Sequence, residues 1–224
     1  MDNQEKQKLF RPLHPKELLK GRTFFPLNGQ IIFWHEPWQD YVVTVINEDG
    51  GYNVHHYELL PEGAPFQLIE AKLVFMPAPN DLHQKISMRL SIKVGQYVLG
   101  NNMGEFRAAP YDVQLDENNV LQPDLLFVSV KRSSLIKQKL FGAPEFVVEI
   151  LSMSTSAADK ESKKALYGKH GVEEYWMVHP QEEYVQVHHN ENKEMHLVQT
   201  AQKDDTIESR AIEGLKLKVA DIFQ

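Results

Sequence analysis

The chain has 224 residues, 42% hydrophobic and 25% charged, which is enough apolar material for one well-formed core and too well mixed for a disordered polypeptide. It contains no cysteine, so disulfides, thiolate nucleophiles and Cys-containing zinc sites are excluded while carboxylate-bound metals stay open. The formal charge of −7 runs against a surface built to release counterions from phosphates. No charged leader precedes an apolar stretch, and no apolar run approaches the roughly 18 residues of a membrane span, so a cytoplasmic protein with no membrane contact is expected.

The first 30 residues carry Pro12, Pro15 and Pro26 with no sustained apolar period and read as an arm. From Gln30 to about Tyr57, the runs IIFWHEPW, YVVTVI and YNVHHY read as short strands, with an Asp-Gly hairpin turn in NEDGG. Residues 1–56 are thus expected as an arm and β-hairpin extension, and 57–224 as the main domain. QLIEAKLVFM reads as one strand with a single acid, Glu70, in its middle. Asn80 to Leu99 opens on Asn/Asp capping residues and spaces Leu82, Ile86, Leu90, Val94 and Val98 as a core-facing helix.

Three short β-rich runs follow, EFRAAPYDVQL, LQPDLLFVSV and PEFVVEILS, and then a helical run from Thr155 to His170. EEYWMVHP, YVQVHHN, EMHLVQT and the alternating IESRAIEGLKLKV read as further strands, closed by a short helical ADIF. The alternation predicts an α/β layer fold, a central mixed sheet flanked by helices, with no internal repeat.

Asp124 opens the apolar run LLFVSV and Glu149 closes FVVEIL, so adjacent buried strands would each bring a carboxylate to one sheet edge. Two such acids are costly unless a positive group compensates them. Mg²⁺ or Mn²⁺ would do so, with the Ile150 backbone carbonyl as an additional oxygen ligand. Such an ion activates water and polarises a phosphoryl oxygen, which points to phosphodiester hydrolysis. A lysine completes this chemistry as a point charge. Two residues after Glu149 stands Leu151, and the next helix offers Lys160, Lys163 and Lys164, whose long side chains can reach back over the strand ends. Lys163 shares a helical face with Tyr167, four residues on.

These blocks, LIEAKLVFMPAPNDLHQKI, LQPDLLFV, GAPEFVVEILSMST, DKESKKALYGKHGVEEYWMVHP and IEGLKLKVADIF, resemble in order the Uma-two-like restriction endonuclease family of the PD-(D/E)XK nuclease superfamily. The resemblance runs from about Tyr57 to the C-terminus. It implies a restriction-endonuclease-like core, Mg²⁺ or Mn²⁺ dependence and DNA as partner. It also implies that Glu70, Asp124 and Glu149 form the acidic site, with Lys163 as the displaced motif lysine. His83 would lie nearby on the first helix, with Tyr167 and Asp159 as the accompanying helix pattern. The chain departs from the family pattern at Ala71, at Ser152-Met153-Ser154 and at His179, none of them a catalytic side chain.

Plainer readings stand beside these. Glu70 fits the polar face of a half-exposed strand, Lys163 a solvated helix face, and His83 a structural hydrogen bond. KRSSLIKQK, residues 131–139, is a basic patch or a solvated loop, and the pairs His55-His56 and His188-His189 read as surface strand residues. As a function, a metal-dependent DNA endonuclease competes with a silent scaffold for protein contact and with a hydrolase of a small phosphorylated or nucleotide substrate. A homodimer would suit cutting both strands of a duplex.

Overall fold

The structure, a computed structural model, describes residues 24–27, 30–35, 40–45, 51–58, 60, 63–76, 78–152 and 157–224, the first three of these stretches as backbone only and 157–159 likewise. β1 (Phe24–Leu27), β2 (Gln30–His35) and β3 (Asp40–Val45) form an antiparallel sheet in that order. β1 therefore lies within the stretch expected as an arm. Leu27 pairs with Gln30, leaving Asn28-Gly29 between the strands, a hairpin signal that outweighs the prolines; Pro26 is tolerated because β1 is an edge. The Asp-Gly turn expected at residues 49–50 lies outside the described residues.

A second correction concerns YNVHHY. Val54–Glu58 is a short helix, α1, that buries Val54 and Tyr57 against Leu68 and Val120. The Asn53 side chain accepts from the backbone N–H groups of His55 and His56, an N-terminal cap that β-type side chains do not override. His55 and His56 are thus helical.

β4 (Phe66–Ile69) and β5 (Lys72–Phe75) divide the single strand expected across QLIEAKLVFM. Ile69 pairs with Lys72, so Glu70 and Ala71 form a two-residue turn with φ of 49° and 61°. Residues with a Cβ adopt this left-handed conformation at a cost. Here the turn is held from outside: Gly51 and Tyr52 donate to the Ala71 carbonyl, Ala71 to that of Asn118, and Glu70 N–H to Asn119 Oδ1. β4 and β5 join β7 (Val113–Asp116), β8 (Asn119–Leu121) and β10 (Leu140–Phe141) in a five-stranded sheet, ordered β10-β7-β8-β4-β5.

α2 (Asp81–Gly100) follows, capped by the Asn80 side chain, which accepts from His83 N–H. The main sheet comprises β6 (Gly104–Ala108), β9 (Leu125–Ser129), β11 (Phe146–Ile150), β12 (Glu174–His179), β13 (Tyr184–Glu191) and β14 (Glu194–Ala201), ordered β14-β13-β12-β11-β9-β6. β11 runs parallel to β12, joined to it through α3 (Ala157–His170), and antiparallel to β9, so the sheet is mixed. A hairpin of β15 (Thr206–Glu208) and β16 (Lys216–Lys218) and the short α4 (Ala220–Phe223) close the chain.

Side-chain alternation assigns the two faces of the main sheet. Leu125, Phe127, Phe146, Val148 and Trp176 pack under Ile86, Leu90, Val94 and Val98 of α2. Leu126, Val128, Val147, Tyr175 and Met177 pack with Leu166 and Tyr167 of α3 and with the five-stranded sheet. Helices therefore flank a mixed sheet on both faces, the α/β architecture expected. His188, expected at the surface, is 4% exposed and stacks on Tyr175. Among the described residues no helix is long and apolar enough to cross a membrane.

Leu90 is fully buried where α2 crosses the sheet. Leu90→Ala is expected to lower the unfolding free energy by about 3 kcal/mol in urea denaturation, and a loss below about 1 kcal/mol contradicts this packing.

Candidate active site

All five residues of β11 are buried, Glu149 among them. Its parity with Val147 turns the carboxylate toward α3, where two residues one helical turn apart meet it. Lys163 Nζ donates to both Glu149 oxygens at 2.9 Å, and the buried Tyr167 hydroxyl donates to Oε1 at 2.6 Å. Of the three candidate lysines only Lys163 makes this contact, while Lys164 pairs with Glu161 on the helix surface. The Asp159 side chain lies outside the described residues.

Val148 pairs with Leu125, so the antiparallel register brings Asp124, just before β9, beside Glu149. Asp124 Oδ2 accepts from Ile150 N–H at 2.7 Å, and Oδ1 faces His83 Nε2 at 3.2 Å. His83 reaches it from α2, from the opposite face to Lys163. The site thus sits at one end of β9 and β11, between two helices.

Burial pushes the Glu149 carboxyl above its ordinary range, and the Asp124 charge adds to this; Lys163 and Tyr167 oppose both. Burial by itself lowers the His83 imidazole, but the hydrogen bond and charge of Asp124 and the charge of Glu149 outweigh it, so the net shift is upward. Burial and the Glu149 charge raise the Tyr167 phenol well above its usual value, which keeps it a proton donor.

Glu70 stays apart from the pair. From its turn it is exposed, and its Oε2 accepts from Ser162 Oγ at 3.3 Å, beside Lys163. The expectation of a strand-borne third acid is corrected: a strand side chain alternates into a face, whereas the turn lifts Glu70 away from the sheet. Among the described residues no three His, Cys, Asp or Glu side chains are gathered to hold a metal ion.

The donor set nevertheless fits a hard divalent cation. The β9–β11 register sets the Asp124 and Glu149 carboxylates side by side, with Asp124 against the Ile150 backbone, so oxygen donors of the kind such a cation takes stand together at one end of the strands. Mg²⁺ keeps several waters and needs only one or two protein carboxylates.

The supports of this site were not foreseen from the sequence. Gln122 precedes Pro123-Asp124, and its amide donates to Asp112 and to the Tyr57 hydroxyl, while its N–H donates to Gln67 Oε1. These contacts pin the segment that delivers Asp124; its position before Pro-Asp was the only signal. The site opens into a groove of about 910 Å³ that also went unforeseen. The 131–139 stretch forms a 3-10 turn in part, in which Arg132 faces Glu145 and Glu173 and, beyond it, Lys139 pairs with Glu58, so several of its charges are already answered.

The sheet is mixed and sets two carboxylates against a helix-borne lysine. The family profile Uma2, described as "Putative restriction endonuclease", matches residues 54–220, and the chain belongs to that family. A solved structure described as "a putative nuclease belonging to DUF820", from Anabaena variabilis ATCC 29413, is similar with a TM-score of 0.66 at 20% identity, over 76% of this chain and 97% of its own, a likeness of fold. No curated protein matches the chain.

The folded pKa of His83 lies above its unfolded value of 6.5, so the His83–Asp124 pair stabilises the fold fully below that value and fades as pH rises through the folded one. In the metal-free protein the His83 imidazole should titrate above 6.5 by NMR, and Asp124→Asn should bring the midpoint down. A midpoint indifferent to Asp124→Asn contradicts the pairing.

Proposed function

We propose that the chain is a metal-dependent endonuclease that hydrolyses phosphodiester bonds of DNA. The observation that carries the reading is the grip of Lys163 on the buried Glu149 beside Asp124. Family membership and fold support the nuclease class.

Each residue has a role that follows from its contacts. The Lys163 ammonium is a compact point charge, suited to the non-bridging oxygens that gain charge as water adds to phosphorus. Tyr167 and Lys163 both hold Glu149 Oε1, and Lys163 holds Oε2 as well. Ile150 N–H and His83 orient Asp124 from two sides. Asp124, Glu149 and the Ile150 carbonyl would hold Mg²⁺ or Mn²⁺, which supplies Lewis acidity and a more acidic bound water. Glu70 falls outside this set.

A small nucleotide would call for a closed pocket, whereas the site opens into a groove. A scaffold role is favoured by one fact, that Lys163 and Tyr167 already satisfy Glu149.

With Mn²⁺ and DNA, Lys163→Ala and Glu149→Gln are each expected to slow cleavage about 100-fold or more, while Lys160→Ala, Lys164→Ala and Glu70→Gln leave the rate near wild type. Undiminished cleavage by folded Lys163→Ala or Glu149→Gln protein would falsify the reading.

A further inference from the structure

The groove leading to the carboxylates has the wrong lining for a duplex backbone. A protein that tracks duplex phosphates lays a row of Lys and Arg along them. Among the described residues lining this groove, Lys163 is the one Lys or Arg, and it is engaged with Glu149. The chain as a whole carries −7. Among the described residues, charge complementarity extends to one phosphate at the reacting end.

What the groove offers instead is flat apolar surface. Pro65, Ile69, Val74, Phe75, Met76 and Pro110 line it. Phe75 is 55% exposed, and its ring is braced edge-on by Phe66 at 5.7 Å. An exposed aromatic with a supported ring is a stacking platform for a base, worth about 1–3 kcal/mol per base in single-strand-binding grooves.

Polar groups in the groove divide into two kinds. Asn80, Gln67 and Gln122 are spent on the protein's own bonds. Gln84 and Ser87, on the first turns of α2, face the groove as adaptable hydrogen-bonding side chains. Phe75 also ends β5, the edge strand of its sheet, so backbone donors and acceptors border the platform. The Watson–Crick edges of bases in a duplex are paired with one another, and their faces are stacked. Only an unpaired strand presents both to such a surface.

We infer that the groove takes an unpaired nucleic-acid strand, its bases laid against Phe75 and the apolar wall, with one phosphate at Lys163. The inference rests on the hydrolytic reading of the Asp124–Glu149–Lys163 site and names its substrate class. A single strand needs one site, so no second copy of the chain is required for a productive cut.

The full chain carrying Glu149→Gln is titrated by fluorescence anisotropy with an oligodeoxynucleotide of about 12 nucleotides, single-stranded or as a hairpin duplex, the scale of single-strand site sizes. The single strand should bind at least about tenfold more tightly, with a salt slope of about −1, against about −5 for a protein gripping six duplex phosphates. Adding Phe75→Ala, or Phe75→Leu, which keeps apolar bulk without a flat ring, should weaken the single strand about fivefold or more.

Wild-type protein with Mn²⁺ is then assayed on the same two substrates. Preferential single-strand binding and cleavage supports both readings. Preferential binding with neither substrate cut upholds the groove and overturns the hydrolytic reading. Equal or tighter duplex binding, a steep salt slope, no binding of either oligonucleotide, or indifference to both Phe75 changes overturns the inference, whether or not duplex DNA is cut.

Discussion

The buried carboxylate of Glu149 is the constraint around which the site is arranged. Taking an ionised carboxylate out of water costs several kcal/mol, and β11 gives it no wet face, since Phe146 to Ile150 are all covered. The compensation comes from α3, which must dock with both Lys163 and Tyr167 over the strand. The β11–α3–β12 connection supplies that docking, and the antiparallel pairing with β9 fixes Asp124 beside it. A one-residue slip in this pairing would send Glu149 to the α2 face, away from the lysine that answers its charge.

Balance of charge at the site is correspondingly tight. Asp124 and Glu149 repel each other, and two groups relieve them from opposite faces of the sheet, Lys163 from α3 and His83 from α2. A purely structural core could replace such a cluster with apolar side chains of similar volume at little cost. The protein's acidity and the answered charges around residues 131–139 leave little generic attraction for duplex DNA.

Much of this arrangement is legible in the sequence. LLFVSV and FVVEIL are apolar runs that each carry one acid at an end, and period-2 burial makes such acids conspicuous. The four-residue spacing of Lys163 and Tyr167 singles out one helix face, yet Lys160 and Lys164 stay open as alternatives because only the docking angle of α3 decides among them. Glu70 is misread because LIEAKLVF has no glycine, and its turn depends on donors from Gly51, Tyr52 and an acceptor on Asn119, distant in sequence or outside the motif. YNVHHY is misread when its β-type residues are weighed above a capping Asn53. The groove leaves no signature in the sequence, since β4, β5, α2 and the 109–110 and 122–124 segments contribute to it from separate stretches.

Whether the Asp124–Glu149 pair accepts a metal, or is a closed structural cluster locked by Lys163, separates a nuclease from a scaffold. Isothermal titration of the metal-free chain with Mn²⁺ addresses this directly. A metal-dependent nuclease should show a saturable site in the wild type that is lost in Glu149→Gln and in Asp124→Asn, both still folded by circular dichroism. Absence of binding in the wild type, or binding unchanged in the two variants, would contradict it.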